Sequence, residues 1–249
     1  MTPELLKVHD AARCDCCGEV AHRLAAPGFS RRSVLRNGIA AALASFSLAK
    51  KAAADALSSP ESSPDAAIQA LLDGNKRFIE HRLTSFDADL ALLKRNTVAK
   101  QEPFAALLSC ADSRVPVELV FDQTIGNLFV TRVAGNLATP EVIASLEYGA
   151  AVLGTKAILV LGHASCGAVK AAMDGKDVPG QISALYAALR PAVDAANGDL
   201  VAAIKANAKI QAHLLASASP LLAGLVKQGK LKVAAGYYAL DTGAVTLLD

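Results

Sequence analysis

The chain has 249 residues, 53% of them hydrophobic and 19% charged, with a formal net charge of +2. This is a globular composition, neither disordered nor fibrous, long enough for one sizeable α/β core or two small domains. No apolar run reaches the roughly 18–20 residues of a membrane-spanning helix. The basic balance sits in residues 1–54, where eight Lys/Arg face four Asp/Glu; the rest carries seventeen against nineteen, which gives no case for nucleic-acid binding.

In chain order, the first feature is Cys14-Asp15-Cys16-Cys17-Gly18, with His9 and His22 nearby. Three thiols and an imidazole suit a soft metal, but the segment also reads as a long, unstructured start to a signal. Ser30-Arg31-Arg32-Ser33-Val34-Leu35-Arg36 precedes the apolar run Gly38 to Ala49, then Lys50-Lys51 and Ala52-Ala53-Ala54. A basic start, about a dozen apolar residues and an Ala-x-Ala site predict an export signal too short to span a membrane stably. The paired arginines resemble a twin-arginine signal. The expectation is a leader over 1–54 that engages the twin-arginine translocation machinery and sends a folded, metal-loaded protein to the periplasm. The bland alternative is a basic amphipathic helix.

Residues 55–64 are rich in Ser and Pro and read as a linker before a domain over 65–249. Ser63-Pro64-Asp65 starts a helix with apolar positions at Ile68, Leu71, Leu72, Phe78 and Ile79, and a second helix is expected over Asp87 to Lys100, completing an N-terminal helical arm. Beyond Pro103 come short apolar runs, Phe104 to Leu108, Leu128 to Val133 and Ala157 to Leu161, with helical stretches between them at Val117 to Phe121 and Pro140 to Leu153. Strands that alternate with helices and are apolar on both faces predict an α/β fold with a covered parallel sheet. The pattern turns helical from Pro179 to about Lys227, and Leu231 to Leu240 and Val245 to Leu248 read as strands joined by a turn at Asp241-Thr242-Gly243.

Reactive residues gather after two of these strands, in Ser109-Cys110-Ala111-Asp112-Ser113-Arg114 and in Gly162-His163-Ala164-Ser165-Cys166-Gly167. Open parallel sheets bind ligands at the carboxyl ends of their strands. Cys110, His163 and Cys166 can supply three ligands to a tetrahedral zinc and leave a place for water, whose pKa zinc lowers to about 7. Two thiolates oppose that by donating charge. Asp112 and Arg114, two apart, point the same way on an extended loop, where a bidentate fork keeps the carboxylate ionised. Such a carboxylate can orient the nucleophile, or swing onto the metal as fourth ligand if Arg114 lets go. The residues alone leave two alternatives open: a buried cysteine pair without metal, and a Cys110–Cys166 disulfide.

Those two segments, together with Phe129-Val130-Thr131-Arg132-Val133-Ala134-Gly135-Asn136 and Gly236-Tyr237-Tyr238-Ala239-Leu240-Asp241-Thr242-Gly243, resemble the β-class carbonic anhydrases. The resemblance runs from about Ala66 to the C-terminus. It implies one zinc on Cys110, His163 and Cys166, an Asp112–Arg114 dyad, hydration of carbon dioxide to bicarbonate, and a homodimer or a multiple of it. It also implies a four-stranded parallel sheet with an added antiparallel edge strand. Gln101 matches a glutamine that reaches substrate across the dimer interface, and Phe129 and Tyr148 match apolar walls of the carbon dioxide pocket; plain core packing is the alternative for Tyr148. One branch of the family, inhibited by bicarbonate, has Trp three positions before the first zinc cysteine and Gly just before it. This chain has Leu107 and Ser109 there and no Trp, so it resembles the branch with an open zinc site.

Three other readings remain at this point. Relatives on the same scaffold hydrolyse carbonyl sulfide or carbon disulfide. A zinc permanently closed by Asp112 would make a non-catalytic zinc protein. Cys110 and His163 as nucleophile and base would leave Cys166, Asp112 and Arg114 without roles. No histidine is assigned as proton shuttle, because His81 and His213 read as surface residues on helices.

Overall fold

The computed structural model describes residues 63–84 and 98–249. The expected leader, the cysteines and histidines within it, residues 55–62 of the linker and residues 85–97 of the second arm helix lie outside the described residues. At the far end of that expected helix, Val98 and Ala99 form a turn.

Helix α1 spans Pro64–Ile79. Ser63 caps it by accepting from the Ala66 N–H at 3.2 Å, and Pro64 occupies the first turn, where its missing N–H costs nothing. Ala67, Ile68 and Leu71 are buried at helical spacing, whereas Ile79, expected on the same face, is 41% exposed. The strands and helices then follow as β1 (Ala105–Ser109), α2 (Val117–Val120), β2 (Leu128–Arg132), α3 (Pro140–Ala151), β3 (Ala157–His163) and α4 (Gly167–Asp174). A 3₁₀ turn at Ile182–Leu185 leads into α5 (Tyr186–Ala195), α6 (Leu200–Ala218), α7 (Pro220–Lys227), β4 (Lys232–Tyr238) and β5 (Val245–Leu248). The sheet order is β2-β1-β3-β4-β5, parallel throughout except for the antiparallel β4–β5 pair.

Every residue of β1 and β3 is buried, as their unbroken apolar runs require. Alternate side chains serve two cores. Leu107, Leu159 and Leu161 meet Ile68 and Leu71 of α1, while Leu108, Ile158 and Val160 meet Leu146, Ala208, Leu215 and Leu222 on the other face. Burying one such side chain fully contributes about 1.5–3 kcal/mol. β2 departs from the expected covered sheet: its residues are only half-buried or exposed, because it is the edge strand and no described residue pairs with its outer side. No helix among the described residues is long and apolar enough to cross a membrane.

The arm is tied to the sheet by Asp122, whose buried carboxylate accepts from the Thr84 N–H and hydroxyl at 2.8 and 2.5 Å and from Arg77 Nε at 2.5 Å. Burial pushes this carboxyl up, but the hydrogen bonds from Thr84 and Arg77 outweigh it and hold it below the usual range. A carboxyl lowered in the folded state adds stability above its unfolded pKa of about 3.9 and loses it as pH falls through the folded value. Asp122→Asn should therefore cost about 1–3 kcal/mol at pH 7. It should also flatten the acid limb of urea-unfolding free energy against pH. Identical acid limbs in the two proteins would remove Asp122 from that transition.

Candidate metal centre

The parallel register sets Ser109 beside Leu161, so Cys110 leaves β1 at the edge where β3 ends in His163. Cys166 follows as the N-cap residue of α4. The strand thus runs two residues beyond its expected end, and His163 stands on rigid sheet instead of in a loop. The donor atoms of Cys110, His163 and Cys166 lie within 4.8 Å of one another, and the residues are 5%, 0% and 1% exposed. Both thiols are free, so the disulfide alternative does not describe this site.

His163 Nδ1 sits 2.9 Å from the Ala164 carbonyl. A carbonyl only accepts, so Nδ1 carries the hydrogen and Nε2 keeps its lone pair. That Nε2 is buried with no hydrogen-bond partner among the described residues. Leaving such an acceptor unsatisfied costs about 1–3 kcal/mol. An imidazole lone pair facing two thiols is the donor set of a three-ligand zinc site, and a carbonyl accepting from the other ring nitrogen is its usual companion. The residues fit the ion. The hydrogen bond from Cys166 lowers the Cys110 thiol, aided by the Gly135 N–H against burial, while the same pairing and burial raise Cys166.

Asp112 accepts from Arg114 Nε and a terminal nitrogen at 2.9 and 2.7 Å, and from the Arg114 N–H at 2.9 Å. The Arg114 bonds hold its carboxyl well below the usual carboxylate range, against burial. Its Oδ2 lies 3.9 Å from His163 Nε2, so the ionised carboxylate borders the donor cluster while its fork is engaged by arginine. Arg114 also reaches the Ser165 carbonyl at 3.4 Å, linking the two reactive segments.

The structure adds a residue to which the sequence assigned no role. Arg132, at the end of β2, donates to the Cys110 and Asp112 carbonyls at 2.9 and 2.6 Å and clamps the loop that carries both side chains. The available signal was a charge closing an apolar strand at this same edge of the sheet. The Gly135 N–H lies 3.4 Å from Cys110 Sγ. Gly135 has φ +76°, and a Cβ there would crowd Leu189 at 3.3 Å, so the approach to sulfur requires glycine.

Gln101, Phe129 and Tyr148 are not brought to this centre within one chain. Phe129 lies beside Ala106, four residues before Cys110, or about 13 Å down the strand. Gln101 and Tyr148 line a surface hollow with Ile125, Leu128 and Leu153, around the amino ends of β1 and β2. Tyr148 is 47% exposed with its ring centroid 6.3 Å from that of Phe129, which excludes the core-packing alternative. His81 and His213 are exposed, His81 just beyond the end of α1. Leu107, where one branch of the resembled family has Trp, is fully buried in the core.

A family model described as "Carbonic anhydrase" matches residues 105–245. "Carbonic anhydrase 2" of Mycobacterium tuberculosis is 34% identical over 202 residues, covering 76% of this chain and 95% of that protein. Among solved structures, the Coccomyxa β-carbonic anhydrase in complex with acetazolamide has a TM-score of 0.54 at 28% identity, covering 65% of this chain and 81% of that one. A tetrameric β-carbonic anhydrase from Sordaria macrospora shares the fold with a TM-score of 0.58 at 20% identity, covering 65% of this chain and 90% of its own.

The donor set leads to a metal-content prediction. Elemental analysis of the purified protein should find one zinc per chain, lost in Cys166→Ala and His163→Ala and retained in Phe129→Ala. Stoichiometric zinc in His163→Ala would rule out this ligand set.

Proposed function

The chain belongs to the β-class carbonic anhydrases, and from that premise we propose that it hydrates carbon dioxide at an open site set by Asp112 and Arg114, in an exported dimer. The family's zinc lyase activity, reversible hydration of carbon dioxide to bicarbonate, rests here on one observation above the rest: the unpartnered, buried His163 Nε2 between two thiols. Cys110, His163 and Cys166 would hold the zinc. When bound, the ion supplies Lewis acidity that makes water a nucleophile near neutral pH.

The remaining residues orient and polarise. Asp112, kept ionised by Arg114, is a hydrogen-bond acceptor at the border of the donor cluster. It would accept a hydrogen bond from the attacking oxygen nucleophile, without taking its proton, and so aim the lone pair at carbon. With Arg114 on both carboxylate oxygens, Asp112 would be kept from serving as a further ligand, and the site would stay open. The Ala164 carbonyl fixes the His163 tautomer, and Arg132 fixes the loop bearing Cys110 and Asp112.

Dimerisation is supported by the half-buried edge strand β2 and by the exposed hollow that holds Gln101 and Tyr148. Since these residues and Phe129 lie away from their own chain's centre, their substrate-binding role belongs to the centre of a second copy. Export rests on residues 30–54 alone: paired arginines, a short apolar run and Ala-x-Ala. A route that carries folded protein suits a centre whose three ligands converge from separate segments, because the zinc can be loaded before transit.

In stopped-flow hydration assays, Asp112→Asn should keep its zinc and lose on the order of 10- to 100-fold in turnover. Full activity in that variant would remove Asp112 from the mechanism. The unsubstituted protein should release no sulfide from carbonyl sulfide or carbon disulfide at a rate comparable to its hydration of carbon dioxide; faster sulfide release would reassign the substrate. N-terminal sequencing of the periplasmic protein should begin near Asp55, and an intact Met1 there would refute the signal.

A further inference from the structure

Helix α6 presents an apolar face of Ala203, Ile204, Ala208, Ala212 and Leu215 to the sheet and the metal centre, interrupted by two buried amides, Asn207 and Gln211. They are 1% and 3% exposed. Burying two amides is unfavourable unless their bonds are made, and here they are made to one loop. The Ala138 N–H, which can only donate, is 2.9 Å from Gln211 Oε1. That fixes the Gln211 amide, so its Nε2 must face Asn207 Oδ1, at 3.2 Å. Asn207 Nδ2 is then directed at the Gly135 carbonyl, at 2.8 Å. The two amides bracket the loop at residues 135 and 138, across the left-handed pair Gly135 and Asn136.

The same glycine donates its N–H to Cys110 Sγ at 3.4 Å. The helix is also held at a set height over the ligand strand, because a Cβ on Gly162, next to His163, would meet Ile204 Cγ2 at 3.0 Å. We propose that Asn207, braced by Gln211, is a positioning residue for the metal centre: through Gly135 it holds a backbone N–H on the Cys110 sulfur and limits the charge that thiolate donates. A site with two thiolates needs such a restraint, since charge donated to the ion weakens its pull on water. The proposal rests on Cys110 being a zinc ligand, and its test separates the two ideas.

The probe is the Co²⁺-substituted full-length protein, whose sulfur-to-cobalt charge-transfer band reports the energy of the sulfur lone pairs. Asn207→Ala should shift that band to lower energy and weaken zinc binding about 10- to 100-fold. Leu215→Ala, a cavity on the same helix but outside the amide chain, should lower thermal stability and leave the band in place. An unmoved band in Asn207→Ala, or an equal shift in Leu215→Ala, overturns the proposal. If Asn207→Ala does not fold, Gln211→Ala should give a smaller shift of the same sign, and no shift there overturns it equally. A wild-type protein with no sulfur-to-cobalt band fails earlier, refuting thiolate ligation itself.

Discussion

The register between β1 and β3 governs what this protein can do. Parallel pairing aligns Ser109 with Leu161, so one strand delivers a cysteine and its neighbour a histidine to the same edge of the sheet. Side chains alternate faces along a strand, and a slip of one residue would send every apolar side chain of β3 to the wrong layer. Leu159 and Leu161 on one face and Ile158 and Val160 on the other make that slip expensive. The metal geometry is thus held by hydrophobic packing well below the site. Cys166, presented by the start of α4, depends instead on a local turn.

Above that frame, arginines do the fine placement. Arg114 fills the oxygens of Asp112, and Arg132 holds the peptide groups on either side of the Cys110–Asp112 step. Arginine suits both tasks because its planar fork makes directed bonds and keeps its charge. Side-chain exposure of 51% for Arg114 against 17% for Asp112 puts the cation on the solvent side of the pair. Opening that pair would require movement only at the surface, whereas the ligands behind it are buried.

Elements announced by hydrophobic period were legible in the sequence: α1 from Ser63-Pro64, the buried strands β1 and β3, and the β4–β5 turn at Asp241-Thr242-Gly243. The convergence of Cys110, His163 and Cys166 into one donor cluster was legible too, since they close or follow two strands that end at the same edge of the sheet. Arg132, Asn207 and Gln211 were not, because their roles lie in bonds to backbone groups distant in sequence. Asn207 meets Gly135 across 72 positions, and nothing in the local pattern of α6 marks it as different from a surface amide. The expected end of β3 at Leu161, where Gly162 interrupts the apolar run, falls two residues short, because Gly162 is the close contact that lets α6 lie on the strand.

A chain that builds a complete set of metal donors leaves a second set of residues without a use at home. Gln101, Phe129 and Tyr148 gather around the amino ends of the strands, some four residues of extended chain below Cys110, beside an edge strand whose outer side no described residue covers. Among the described residues, Leu128, Phe129 and Val130 on such an edge leave apolar surface and backbone groups without a neighbouring strand, which isolated proteins tend to blunt with charge or proline. Arg132 is the one charge on β2, and it is engaged with the Cys110 loop instead of guarding the edge. The dimer proposed above would account for that surface, with a second copy's centre receiving Phe129 and Tyr148 as apolar walls and Gln101 as a polar contact to substrate. In that proposed dimer the edge that would be a liability in the monomer would become part of the reaction vessel, and catalysis and assembly would rest on the same strand.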